Sequence, residues 1–324
     1  MTDFYSQQRK NRKITVLLMA GFFLFIIVLG LGVDLYSFGS VKDFGFPLGT
    51  VVALTVASVN GSVAYFYGDG IVLKSLGAVN LEFEDLTHKK LHNVVTEMAL
   101  ASGLPMPKIY VIPDPAPNAF ATGRGPSKSS VVVTQGLLDT MNREELQGVV
   151  AHEMGHIKNL DILTMTVVAV LVGTVAILSD WAVRTWRYGG LTGRRRRRRR
   201  RGKGQSALVL IVIVVFVLIS PIVSRIIAMT VSRSREYLAD ASSAEFTRNP
   251  GALASALEKI AGSTSRLKSA HRGTAHFFIS DPMKRRLNNK EGRFANLLST
   301  HPPIEKRIER LKKMAYIWKK RGIK

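Results

Sequence analysis

His152-Glu153-Met154-Gly155-His156 brings together the residue types that hydrolyse a peptide bond around a metal. Two histidines at i and i+4 project from one helix face. Both imidazoles can then reach one Zn²⁺ at about 2.0–2.1 Å. The glutamate beside the first histidine can face a water on that metal. Zinc lowers the pKa of such a water to about 7. A carboxylate can take its proton and return it to the leaving amine. The pattern fixes only three residues, so chance matches are common. Ala151 and Gly155 are small, which suits close packing against a helix or a substrate.

A catalytic zinc takes a third protein ligand and keeps a fourth position open. The chain has no cysteine, so the ligands come from His and carboxylate. Glu236, Asp240 and Glu245 in SREYLADASSAE are the candidates. Glu236 and Asp240 share a helix face, so one can ligate while the other orients a ligand or an arginine. The plainer alternative is a solvated acidic face, set against a segment otherwise rich in Arg. Asp161, five residues after His156, either orients a histidine ligand or marks a membrane boundary. His88 and His92 are also at i and i+4, but they lack a suitable nearby acid and read as surface or structural. His271 and His276 fall in an irregular basic segment and read as packing residues.

The elements that must position these residues are legible in outline. Asn142 is a helix N-cap, with Glu145 at the capping-box position, and the helix then carries Glu144–Asn159. A preceding helix spans Glu84–Ser102 and ends at Gly103 and Pro105. KIYVI (Lys108–Ile112) is a strand, and Ala119–Thr122 and Ser130–Thr134 are two more around the turn Gly123–Pro126. Helices follow over Ser232–Arg248 and Gly251–Ala261, split by Asn249-Pro250. Pro302–Lys320 is a basic amphipathic helix.

Four uncharged apolar runs interrupt these parts: Ile14–Val33, Phe44–Gly68, Ile162–Ser179 and Ser206–Ser224. A bilayer core needs about 20 apolar residues in a helix. The first, second and fourth runs meet this well; the third is shorter and carries Thr164, Thr166 and Thr174. The first reads as a retained anchor, since no A-x-A-like cleavage site follows it. The predicted fold is a mainly α integral membrane protein. It has about four transmembrane helices and an α+β zincin-like metalloprotease domain with a small β-sheet. Residues 1–70 form a two-helix anchor and 71–161 the first half of the catalytic domain. Residues 162–227 hold two further membrane helices with an Arg-rich loop at 184–205, and 228–324 complete the catalytic domain.

The whole composition agrees with a membrane setting. Lys plus Arg is 46 against 23 Asp plus Glu, a net charge of +23, in a chain of 324 residues that is 46% hydrophobic. That apolar content excludes a disordered polycation, and the lack of Cys excludes a disulfide scaffold. Eight of the positive charges form one tract, Arg194–Arg201, and most of the others flank apolar runs or decorate the C-terminal helices. Anionic headgroups attract such residues, so no nucleic-acid partner is expected.

The chain resembles the HtpX-type membrane zinc metalloproteases, a group that also contains the CAAX prenyl proteases. The resemblance runs from the first apolar run to about residue 310. It rests on AHEMGHIKNLD (151–161), PNAFATG (117–123), EYLADASSAEFTRNP (236–250), TAHFFISDPM (274–283) and HPPIEKRI (301–308). It implies one Zn²⁺ per chain held by His152, His156 and Glu236, with Glu153 as general base. It implies that His301 stabilises the tetrahedral intermediate, that Asp240 supports the ligands and that Arg307 pairs with Asp240. It places Asn118, Ala119 and Phe120 on a strand that holds the substrate backbone. An edge strand can bind an extended peptide by main-chain hydrogen bonds with little side-chain preference. The resemblance thus implies a cell-membrane endopeptidase with a cytoplasmic site, acting on misfolded membrane proteins.

Arg9, Lys10, Arg12 and Lys13 precede the first run and predict a cytoplasmic N-terminus. Four crossings then put Arg194–Arg201 outside, against the positive-inside tendency. A non-crossing hairpin, an inverted orientation, or later helices overridden by the first would each resolve this; four spanning helices are retained. The functional alternatives are a CAAX-type prenyl-protein endopeptidase, a membrane-anchored lipid or polyanion binder using the Arg tract, and an inactive protease scaffold. The last is disfavoured because every residue the zinc chemistry needs is present.

Overall fold

The computed structural model describes residues 4–38, 46–82, 84–171, 173–174, 233–270, 274, 277–280 and 302–322. Two long helices come first, α1 (Phe4–Phe38) and α2 (Leu48–Ser75). Ser6–Gly32 and Leu48–Ser75 are each long and apolar enough to cross a membrane. At 1.5 Å per residue either reaches about 40 Å, more than the hydrocarbon core of about 30 Å. Leu17, Leu24, Val52, Val59 and Tyr67 are exposed on them, as lipid-facing side chains are. Gly30 lets the two helices touch, because a Cβ there would lie 2.7 Å from that of Ala53. The first amides of α2 have no local cap. Asp34 of α1 supplies one, accepting from the N–H of Gly49 at 2.7 Å and of Thr50 at 2.8 Å, where a carboxylate also opposes the positive helix end.

The chain then builds a four-stranded mixed sheet in the order β1-β2-β4-β3. The strands are β1 (Val79–Asn80), β2 (Lys108–Ile112), β3 (Ala119–Gly125) and β4 (Lys128–Thr134). β2 and β4 run parallel, and β3 pairs antiparallel with β4 in a hairpin. The two-residue β1 carries no sequence pattern and arises from its pairing with Tyr110 and Val111. Side chains alternate across a strand, and here both faces are used. Val131 and Val133 enter a core with Leu91, Val95, Val149 and Met154. Val132 points the other way, to Val72, Phe120, Phe277 and Phe278.

Helix α3 (Leu86–Ser102) starts two residues inside the expected span because Asp85 caps it, and it ends where Gly103 turns left-handed at φ 69°. The short α4 (Gln135–Thr140) precedes α5 (Arg143–Lys158), whose capping box between Asn142 and Glu145 is formed on both sides. α5 breaks at Leu160, which has φ 59°, and the chain leaves at 82° as α6 (Asp161–Leu171). Helices α7 (Arg233–Thr247), α8 (Pro250–Gly262) and α9 (Ile304–Lys320) complete the described part. Asn249 caps α8, accepting from the Ala252 N–H, with Pro250 at its first turn, the position proline tolerates best.

The third apolar run is described only over its first part, most of it α6. Every residue of α6 is buried by protein. Thr164 and Thr166 on α6, and Thr174 beyond it, each find a polar partner, so a run of mixed polarity is accommodated. Thr164 pairs with Thr15 at 2.9 Å, Thr166 with Thr122 at 3.0 Å, and Thr174 accepts from Asn60 at 3.0 Å. The fourth run, the Arg tract and the basic stretch 281–300 lie outside the described residues.

Candidate active site

α5 carries three of the reactive side chains because its inner face is sealed by neighbours. His152, Glu153 and His156 are all buried. Gly155 sits against α7, and a Cβ there would lie 3.0 Å from Ser242 Cβ and 3.3 Å from Ala239 Cα. Gly148 makes the same close approach to Leu253 of α8. The small residues of the motif therefore serve helix packing, and that packing brings Glu236 of α7 to the two histidines.

His152, His156 and Glu236 each offer a ligand atom, and these atoms all lie within 4.8 Å of one another. The two imidazole Nε2 atoms are 3.2 Å apart. Glu236 oxygens lie 3.8 Å from His152 Nε2 and 3.7 Å from His156 Nε2. Donors about 2.05 Å from a tetrahedral ion are about 3.3 Å from each other. The triangle is thus close to the size that a zinc ion needs. The opposite ring nitrogens are engaged: His152 Nδ1 is 3.0 Å from Asp240 Oδ1, and His156 Nδ1 is 2.9 Å from Asp161 Oδ2. With Nδ1–H donated to a carboxylate, each Nε2 presents a lone pair inward.

Charge gives an independent test of fit. Glu153, Asp161, Glu236 and Asp240 are buried here with Arg235 and Arg307. Four carboxylates against two guanidiniums give the dry pocket an excess of acidic groups, which favours a cation there. The titrations carry the same imbalance. Burial pulls His156 down, but the Asp161 hydrogen bond and the Glu236 charge outweigh it and hold His156 up at about 9. Burial pushes His152 down to about 4, against its bond to Asp240. Glu153 is pushed up to about 7, by burial first, with the Glu236 charge adding and His156 opposing. Neither Glu153 oxygen has a side-chain hydrogen-bond partner among the described residues, and the Ala121 backbone opposes the rise.

Arg307 of α9 locks the pocket. Its Nε and Nη2 donate to Asp240 at 3.0 and 2.7 Å, its Nη1 donates to the Ile279 carbonyl at 3.0 Å, and Nη1 lies 3.1 Å from Glu236. Burial would lower its pKa, and the Asp240 and Glu236 charges raise it instead.

The strand residues are placed differently from one another. β3 is the sheet edge, as expected. Its first carbonyl, on Ala119, is already taken by the Ile279 N–H at 3.0 Å, and Asn118 Nδ2 donates to the Ser280 carbonyl at 3.1 Å. At the far end Gly123 N–H donates to Thr166 at 3.3 Å. The open part of the edge is therefore short and centres on Ala121. Phe120 is fully buried, with ring centroids 5.6 Å from Phe277 and 5.0 Å from Phe278. Its side chain belongs to the core, because the pleat that turns Ala119 and Ala121 toward α5 turns Phe120 away. His301 lies outside the described residues. Asp161 is settled as a histidine partner by position, while Arg235 and Asn11, which flank it, carried no signal beyond basic and polar residues at membrane-facing ends.

The model of peptidase family M48 matches residues 85–315. A protease HtpX homolog of Caldanaerobacter subterraneus subsp. tengcongensis is 44% identical over 310 residues, covering 96% of this chain and 97% of that protein. One of Listeria innocua is 41% identical over 317 residues, covering 96% and 99%. The crystal structure of S. mikatae Ste24p aligns at 18% identity with a TM-score of 0.48, covering 94% of this chain and 66% of that one.

Proposed function

The chain belongs to peptidase family M48, and from that premise we propose that it hydrolyses peptide bonds with zinc held by His152, His156 and Glu236. It is a membrane metalloendopeptidase; the identity of the metal, the ligand roles and the orientation in the membrane are the proposal. The observation that carries it is the three-donor triangle with both Nδ1 atoms anchored on carboxylates. Zinc bound there would supply Lewis-acid polarisation of the scissile carbonyl and a water of pKa about 7.

The chain's own residues do the rest. Glu153, with no side-chain hydrogen-bond partner among the described residues and a proton affinity near neutrality, accepts the proton of the attacking water and delivers it to the leaving nitrogen. Asp240 and Asp161 hold the two imidazoles in the ligating tautomer. Burial pushes the Asp240 carboxyl up, but Arg307 beside it holds it below the usual carboxylate range, and the same guanidinium lies against Glu236. His301 directly precedes the Pro302-Pro303 entry to α9 and is proposed as the donor to the developing oxyanion. The Ala121 stretch of β3 holds the substrate main chain in extended form. That mode accepts unfolded polypeptide, which supports misfolded membrane proteins as substrates.

We place the site on the cytoplasmic side of the cell membrane, with four crossings. The basic residues before α1 support a cytoplasmic N-terminus. Gly68 of α2 meets Thr166 and Val170, Ala64 joins Leu163 and Val167, and Asn60 meets Thr174. α6 thus runs antiparallel along α2 toward the opposite face, which supports a third crossing beginning there. Labelling of a cysteine placed in 194–201 from the cytoplasmic side would defeat the four-crossing arrangement. For the chemistry, purified chain should carry about one zinc and digest casein in a chelator-sensitive way. Glu153→Gln should keep the zinc and lose the activity; a Glu153→Gln chain of full activity would sink the mechanism.

A further inference from the structure

The first membrane helix reaches into the metal centre. Gln8, Asn11 and Thr15 lie three and four residues apart on α1, among Arg9, Lys10, Arg12 and Lys13, and form a polar rib on one face. That rib docks on the corner between α5 and α6. Gln8 Nε2 donates to the Lys158 carbonyl at 2.6 Å. Asn11 Nδ2 donates both to the Asn159 carbonyl at 2.8 Å and to Asp161 Oδ1 at 2.6 Å. The last carbonyls of a helix have no partner inside it; those of Gly155 and Ile157 take the Asn159 and Leu160 amides, and α1 supplies the partners at Lys158 and Asn159. The corner itself needs an external hold, because Leu160 has φ 59°, a region that L side chains rarely adopt.

We infer that Asn11 is a positioning residue of the zinc site, acting on His156 through Asp161. The two oxygens of Asp161 have separate tasks. Oδ2 meets His156 Nδ1 at 2.9 Å, and Oδ1 receives Asn11. Arg235 Nε stands 3.4 Å from the same Oδ1, longer than the Asn11 bond. Pinning Oδ1 stops the carboxylate from rotating, so Oδ2 stays where it aims the His156 ring. Asn11 is 1% exposed, so its amide has no water to turn to. The first helix is then part of the catalytic unit as well as its anchor.

The inference rests on the reading that His156 holds zinc. Its test uses the full-length chain in detergent and measures zinc affinity by competition with a chelator. Asn11→Leu keeps the side-chain size and removes both donors. It should weaken zinc binding about 10–100-fold, the usual cost of losing a group that orients a ligand. It should lower kcat and leave KM for unfolded casein unchanged. Asn11→Ser, too short to reach Asp161, should do the same and carries the comparison if Asn11→Leu does not fold. Thr15→Val breaks the Thr164 pair on the same rib without touching Asp161 and should bind zinc like the parent chain. In an Asp161→Asn background, Asn11→Leu should add little, because both act on one ligand. Parent-like zinc affinity in folded Asn11→Leu, or effects that add in full with Asp161→Asn, would overturn the inference. A parent chain that holds no zinc would instead overturn the reading of the site on which it rests.

Discussion

Arg307 donates two hydrogen bonds to Asp240, at 3.0 and 2.7 Å, across 67 residues of sequence. The pair is fully enclosed, and Asp240 in turn meets His152 at 3.0 Å. A C-terminal helix outside the histidine motif therefore sets the angle of one imidazole. Truncating one partner of a buried ion pair typically costs about 3–5 kcal/mol. Arg307→Ala is expected to lose that much stability and to shed zinc to a weak chelator. Arg307→Lys should recover little, since one ammonium cannot reproduce the two-pronged bond. Thermal melting and metal content of the purified variants measure both effects.

Gly155→Ala tests whether the spacing of α5 and α7 sets the ligand triangle. The added methyl would lie 3.0 Å from Ser242 Cβ, so the helices must part by a few tenths of an ångström. Overpacking of this kind costs about 1–3 kcal/mol. Glu236 moves with α7, so zinc affinity should fall along with stability. A variant with a lowered melting temperature and undiminished zinc affinity would show that α7 can shift without carrying Glu236 away.

Glu145 makes a pH-dependent contribution to stability. Burial raises its pKa, but bonds from Lys259, Ser255 and the Asn142 N–H bring it below the usual carboxylate value. A carboxylate depressed in the folded state stabilises fully above its unfolded pKa, and that stabilisation fades as pH falls through the folded value. Glu145→Gln is expected to cost about 1–2 kcal/mol at pH 7, with the difference from the parent chain shrinking under acid conditions. Melting curves of both chains over an acid-to-neutral series check it; a difference that grows toward acid would refute the assignment.

Phe120 separates core from cleft. Replacing a buried phenylalanine by alanine costs about 3–5 kcal/mol, and Phe120→Ala should behave so. Assayed well below its melting temperature, it should retain the KM of the parent chain for unfolded polypeptide. A large rise in KM with little loss of stability would place the ring in the substrate groove.

The histidine pair, its glutamate, the capped helix that bears them and the two first membrane helices were legible from spacing alone, because each rests on local periodicity. The helix cap at Asn142 followed from its capping-box spacing, whereas the caps at Asp85 and Asn249 emerged only with the fold. The candidate third ligand was narrowed by the absence of Cys and by the resemblance to the family, and its meeting with the histidines is a matter of how α7 packs on Gly155. The pairing of Arg307 with Asp240 was expected from the resemblance; what neither it nor local pattern contained is Asn11 on Asp161 and the 277–280 segment on β3. Asn11 and Asp161 look like ordinary polar residues in sequence, and the 277–280 segment meets β3 through its main-chain groups. They become specific only when folding removes water and leaves each buried charge or amide to find a partner. By itself the sequence picked out the candidate zinc residues and the apolar runs long enough to cross a bilayer. The tertiary structure decided which neighbours aim those residues, because the orientation of an imidazole depends on the atom behind it.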